Sequence, residues 1–251
     1  FISLDDELFN LLKLFIVSKL ILHIPHASEY IPDLTKYIVD QRTLTQEVLK
    51  LTDWHTDDLF SFENAHTITA RFSRVFCDVE RFPEDSQEIM AKFGMGALYE
   101  KSDNGQTLRI VNQEVRNYIL KNYYWPHHEK LNHTVEQQLK KFGKATILDC
   151  HSFPNKPFNR DLDQNPDRPD FNIGTDAFHT PKELIKLSKT FFTKKGFSVG
   201  LDWPYRGTIV PPAHYKKNKN VQSIMLEVNR SLYLNENANS RSKQYLKTKG
   251  V

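Results

Sequence analysis

Two apolar runs of this chain stop on groups that can hold a metal or move a proton. Ala145-Thr146-Ile147-Leu148 ends at Asp149-Cys150-His151-Ser152, and Leu20-Ile21-Leu22-His23-Ile24 ends at Pro25-His26-Ala27-Ser28. Side chains alternate along a strand, so Asp149 and His151 share one face and Cys150 takes the other. That alternation also separates Cys150 from His151 as a nucleophile and base. In α/β folds ligands bind at the C-terminal ends of the strands, where both histidines stand.

His26 and His151 plus one carboxylate make an N/O donor set that suits zinc and leaves a position open for water. Two residues compete for the third place. Glu29 follows His26 with His-x-x-Glu spacing, whereas Asp53 lies in Asp53-Trp54-His55-Thr56-Asp57. The latter segment falls inside a helix expected over 43–63, on which Asp53 and Asp57 share a face and His55 points away. Glu227 closes a third apolar run, Ile224-Met225-Leu226. A carboxylate there is costly unless paired or used, so it is a candidate general base, with Arg230 as the alternative structural partner. Arg71, Arg74 and Arg81 stand in or after a strand-like segment, where guanidinium groups suit bidentate recognition of carboxylates. Asp78, Glu80 and Glu84 are their competing partners.

The elements that must position these groups alternate in type. Apolar, β-rich runs occur at 20–24, 66–72, 74–79, 145–150, 197–201 and 223–228, with helix-period segments at 43–63, 112–142 and 181–195 and another after Ser231. Alternation of this kind predicts an α/β domain with a mainly parallel or mixed sheet. In the longest helix Val111, Val115, Tyr118 and Ile119 form one side, continued by Leu131, Val135 and Leu139, with an interruption near Pro126. Thr180 as N-cap, Pro181 and Glu183 open the next helix. From Ser152 to His179 the chain is rich in Pro, Asn and Asp and has no period, which predicts a long loop walling the site. The segment from Phe1 to Leu20 is expected as a helix or edge element. The polar tail from Asn235 to Val251 is expected to fray in part.

Composition narrows the partners. The 251 residues carry a net charge of +3, too mild and too dispersed for a nucleic-acid surface. No run approaches the roughly 18 apolar residues of a membrane span. Two cysteines, Cys77 and Cys150, both in apolar segments, do not make a disulfide framework and predict a cytoplasmic setting. Nine glycines and no glycine-rich phosphate motif or nucleophile elbow argue against nucleotide and serine-hydrolase chemistry.

With these elements in place, the chain resembles the N-formylglutamate amidohydrolase family. The matching residues are Ile24-Pro25-His26-Ala27-Ser28 with Ile31-Pro32, Thr52-Asp53-Trp54-His55-Thr56-Asp57, and Phe72-Ser73-Arg74-Val75 running into Asp78-Val79-Glu80-Arg81-Phe82-Pro83. Pro126-His127-His128, Asp149-Cys150-His151-Ser152, Phe171-Asn172-Ile173-Gly174-Thr175 and Leu226-Glu227 follow in family order, within about residues 20 to 233.

The resemblance implies one domain over residues 1–251, with a three-layer α/β/α zinc-peptidase-like fold around a central mixed sheet. It implies a metal-dependent amidohydrolase that cleaves an N-acyl amide, such as the N-formyl group, from a small acidic amino acid. A carboxypeptidase-like or other N-acyl-amino-acid deacylase and a non-catalytic binding module are the alternatives. Carried over by position, His26, Asp53 and His151 are the metal ligands, with Asp53 favoured over Glu29. Glu227 is the base, Arg74 and Arg81 hold substrate carboxylates, and His128 and Asn172 line the pocket. The metal is zinc, although iron or manganese suits the same donors. One departure stands out: the family's Asp-x-Asn-Arg reads Asp78-Val79-Glu80-Arg81, a carboxylate in place of an amide. The 82–108 and 202–222 segments also diverge.

Overall fold

The computed structural model describes residues 20–34 and 36–251; the expected first element, 1–19, lies outside them. Six strands form one sheet in the order β2-β1-β3-β6-β4-β5. They are β1 (Ile21–Ile24), β2 (His66–Thr69), β3 (Ala145–Phe153), β4 (Phe171–Gly174), β5 (Val199–Leu201) and β6 (Val221–Asn229). The pairs β1–β2, β1–β3, β3–β6 and β4–β5 are parallel, and β4–β6 is antiparallel, so the sheet is mixed as expected. From β1 the chain pairs outward to β2 and then crosses to β3 on the other side, which makes the end of β1 a switch point of the topology.

Strand alternation sorts the sheet into two faces. Ile21, Ala145, Ile147 and Val221 pack with Leu131 and Val135 of the helix α4 (Trp125–Phe142). Leu22, Ile24 and Cys150 pack on the opposite face, as do Ile173 and Ile224 against Leu184 of α5 (Lys182–Lys194). Counting in twos, His23, Asp149, His151 and Glu227 therefore fall on the α4 face. Helices thus flank the sheet on both faces.

Several elements depart from the sequence pattern. The expected 43–63 helix is two helices, α1 (Gln41–Leu51) and α2 (Thr56–Leu59), separated by a turn in which His55 adopts φ 60°. Asp53 sits in that turn, so the shared helical face with Asp57 does not exist. The 74–79 run is a series of turns; its Val75, Phe76, Cys77 and Val79 are buried without pairing into the sheet. Its carbonyls find side-chain donors instead, Val75 from Tyr37 and Phe76 from Arg109.

The 112–142 helix is α3 (Gln113–Ile119), one turn of π-helix over Leu120–Tyr124, and α4, which places the interruption just before Pro126. Tyr118 is half exposed rather than part of the buried stripe. Thr180 does not cap α5: its hydroxyl donates to the Ser223 carbonyl, and Pro181 takes the cap position. The long loop contains β4, a strand too short and too polar in its flanks to announce itself. The tail is tied down: Tyr245 of α6 (Tyr245–Lys249) is buried, and Asp58 receives Tyr245, Lys249 and Arg241. No described helix is long and apolar enough to cross a membrane.

Candidate active site

The parallel register sets the floor of the site. Within it His23 lies opposite Asp149, and His151 opposite Glu227. His26 follows two residues after β1 ends, and its carbonyl accepts from the Asp53 amide at 2.9 Å, which anchors the α1–α2 turn beside it. Ligand atoms of His26, Asp53 and His151 all lie within 4.8 Å of one another, and all three residues are buried. Asp53 Oδ2 stands 3.7 Å from His26 Nδ1 and 3.5 Å from His151 Nδ1. Glu29, by contrast, is exposed.

The outer nitrogen of each imidazole is taken by a carboxylate. His26 Nε2 donates to Asp78 Oδ1 at 2.8 Å, and His151 Nε2 donates to Asp149 Oδ1 at 3.0 Å. An ionised carboxylate only accepts, so each Nε2 carries the hydrogen. Burial opposes charge on His151, but Asp149 and Asp53 hold its pKa well above the ordinary value. Its Nδ1 proton must therefore leave before that lone pair can turn inward to a metal. His26 Nδ1 is buried with no hydrogen-bond partner among the described residues. Two lone pairs and a carboxylate oxygen converging on one point fit a divalent cation, and the carboxylates behind the rings orient the donors. Burial works to raise the Asp53 carboxyl, but the neighbouring His151, His26 and Arg230 outweigh it and hold it well below the usual range. Arg230 Nη2 donates to Asp53 Oδ1 at 3.0 Å, leaving Oδ2 to face the histidines. Breaking a buried pair of this kind costs about 3–5 kcal/mol.

Glu227 stands at the end of β6 beside this cluster. It is 6 % exposed, and its Oε2 is buried without a hydrogen-bond partner among the described residues. Burial, only partly offset by His151, pushes its pKa up to about 8. Its pairing with Arg230 does not form, because that guanidinium goes to Asp53.

Both expected arginines meet at Asp78. Arg74 donates through Nε and Nη2 to Asp78 Oδ2 at 3.1 and 2.9 Å, and Tyr99 donates its hydroxyl to the same oxygen at 2.9 Å. Arg81 stands 3.6 Å from Asp78 and 3.6 Å from Glu88, and its Nε is buried with no hydrogen bond among the described residues. Arg71 is exposed on a bend. His128 Nε2 lies 3.0 Å from the Val79 carbonyl, and burial lowers its pKa to about 4, so the ring is neutral. Asn172 accepts from the Trp203 amide and donates to the Tyr205 carbonyl. Its amide is therefore committed to holding the 202–206 loop beside Glu227. That loop lies close: a Cβ on Gly174 would meet the Gly207 carbonyl at 2.4 Å, and the Ile209 amide donates to Asp149 Oδ2. Asp161 of the long loop receives Tyr205 and Arg168, so the loop is pinned as a wall.

Sequence reasoning gave no role to His23, His127 or Tyr99, and offered Arg230 only as a partner for Glu227. His23 is 0 % exposed; its Nδ1 lies 2.8 Å from Asp149 and 3.0 Å from Glu80, and its Nε2 lies 2.8 Å from His127 Nε2. Burial opposes its charge, yet hydrogen bonds to Asp149 and Glu80 raise its pKa to about 9. Burial drives His127 the other way, to about 2, so His127 accepts from a protonated His23. Glu80 thus faces an imidazolium. The available signal was alternation: His23 is an ionisable residue on the α4 face of a buried strand, in line with Asp149.

The sequence model of the family described as N-formylglutamate amidohydrolase matches residues 18–234. The chain belongs to the N-formylglutamate amidohydrolase family. A solved N-formylglutamate amidohydrolase from Ralstonia eutropha JMP134 superposes with a TM-score of 0.80 at 23% identity, over 93% of this chain and 89% of that one. A gene product from Agrobacterium tumefaciens superposes at 0.62 and 18% identity, over 92% and 86%. At these identities the likeness is one of fold, the α/β arrangement with a central six-stranded sheet. No curated protein matches the sequence.

Proposed function

We propose that the chain is a zinc-dependent amidohydrolase that removes an N-acyl group, the formyl group first among them, from a small acidic amino acid. His26, Asp53 and His151 are the ligands. The observation that carries the reading is the convergence of two oriented Nδ1 lone pairs and Asp53 Oδ2, with Glu227 beside them. A divalent metal in this donor set supplies Lewis acidity and an acidified water.

The protein's own groups do the rest. Glu227 accepts the proton of the attacking water and returns it to the departing amine nitrogen, a role suited to a carboxylate whose pKa lies near 8. Arg74, with one guanidinium edge fixed on Asp78, offers the other to a substrate carboxylate, and Arg81, its Nε turned to Asp78, offers the partly exposed remainder of its guanidinium. His128 and Asn172 shape the pocket from behind. Arg230 and Asp149 keep Asp53 and His151 aimed inward.

Purified protein assayed on formyl-, acetyl- and succinyl-amino acids and on short peptides tests this reading. Metal-dependent release of formate from N-formylglutamate supports it. Cleavage of peptides with no turnover of any N-acyl amino acid overturns it in favour of a carboxypeptidase-like activity.

A further inference from the structure

Beside the triad lies a second group of donors, none of them a ligand of the first. One atom each of His23, Glu80 and Asp149 lies within 4.8 Å of the other two. His23 Nδ1 stands 2.8 Å from Asp149 Oδ1 and 3.0 Å from Glu80 Oε1. The other nitrogen of the ring, Nε2, is held at 2.8 Å by His127 Nε2. His23 and Asp149 are fully buried, and the Glu80 side chain, 16 % exposed, opens the group toward solvent.

One proton does not satisfy this arrangement. Nδ1 carries a single hydrogen, which points at Asp149 Oδ1, and Glu80 Oε1 lies close to it but off its line. That oxygen is buried with no well-aligned hydrogen bond among the described residues, a costly state for a carboxylate. A divalent cation in the proton's place offers a bond to each of the three donors at once. We propose that His23 Nδ1, Glu80 and Asp149 form a second metal site, for a six-coordinate divalent cation of the manganese class. Donors about 3 Å apart subtend nearly a right angle at an ion ~2.1 Å from each, which is octahedral rather than tetrahedral geometry. The imidazole disfavours magnesium and calcium, which take oxygen, and the two carboxylates suit manganese. The His127 contact pins the outer nitrogen, so Nδ1 stays aimed at the cation once its proton leaves. Water fills the remaining positions from the Glu80 side. A cation there ties β1, β3 and the turn carrying Glu80 together.

Manganese(II) is the probe, titrated into the full chain carrying one equivalent of zinc, with free manganese read from its electron paramagnetic resonance signal. Saturable binding of one manganese per chain is expected. Glu80→Gln removes a charged donor, so it should weaken that binding by at least the ~10–100-fold that loss of an outer partner costs. Anomalous-difference maps at the manganese edge locate the ion in unmutated crystals, whatever the fate of the variant. A peak between His23, Glu80 and Asp149 is the expected result, and it supports the second site whether or not zinc fills the triad. Absence of saturable binding overturns the proposal. So does unchanged affinity in Glu80→Gln, or a manganese peak only at the triad or elsewhere.

Discussion

His151 and Asp149 are two residues apart on one strand, and their side chains meet at 3.0 Å on the face that α4 covers. Asp149 Oδ1 also receives His23, and Oδ2 receives the Ile209 amide, so this one carboxylate joins β3, β1 and the 202–209 loop. Its hydrogen bond fixes which nitrogen of His151 faces Asp53.

Asp149→Asn should therefore weaken metal binding without removing a ligand. The amide can present an NH to His151 Nε2 and favour the wrong tautomer. Outer partners of metal-bound histidines are worth ~10–100-fold in affinity. Competition against a chelator of known affinity checks this, and unchanged affinity would contradict the assigned orientation.

Glu227→Gln should abolish turnover while stabilising the metal-free protein at alkaline pH. The Glu227 pKa is raised by burial from 4.5 to about 8, so the folded state favours the neutral acid. That contribution is fully present below the unfolded pKa and lost as pH rises through 8. The neutral amide escapes this loss, a difference of ~2–4 kcal/mol at pH 8. Urea unfolding of both proteins at pH 5 and pH 8 measures it; equal differences at the two pH values would count against a buried, strained carboxylate.

His23 titrates with the same sign for the opposite reason. Its folded pKa near 9 exceeds the unfolded 6.5, so the stability it brings is full below pH 6.5 and lost by pH 9. Glu80→Gln removes one of the two carboxylates that hold the proton. The variant should show a shallower fall in stability between pH 6.5 and 9, and the His23 ring signal in NMR should titrate at lower pH. A titration identical to that of the unmutated chain would show that Glu80 does not sense His23.

Arg81→Met should raise KM for a carboxylate-bearing substrate by ~10–100-fold, the loss of one charge-assisted hydrogen bond, with a smaller effect on kcat. Arg74→Met should damage both, because Arg74 also fills Asp78 Oδ2, and Asp78 holds His26. Equal effects of the two substitutions would argue against separate roles.

The parts of the site carried by strands were legible in the sequence because alternation is local. Asp149 and His151 on one face, Cys150 on the other, and Glu227 closing a third apolar run all follow from a period of two. The turn at Asp53 was not legible: helix periodicity runs through 43–63, and only the left-handed His55 and the Asp53 amide bonded to His26 break it. Val75 to Val79 read as a strand because they are apolar, yet their partners are Tyr37 and Arg109, set by tertiary packing. Arg230 was visible as a residue but not as a ligand holder, since its reach to Asp53 spans a sequence separation of 177.

The most direct test of the account is an anomalous-difference map at the zinc edge from crystals of the metal-loaded protein. One peak coordinated by Nδ1 of His26, Nδ1 of His151 and the Asp53 carboxylate is the predicted result. A peak held by Glu29, or zinc bound elsewhere with this triad empty, would contradict it.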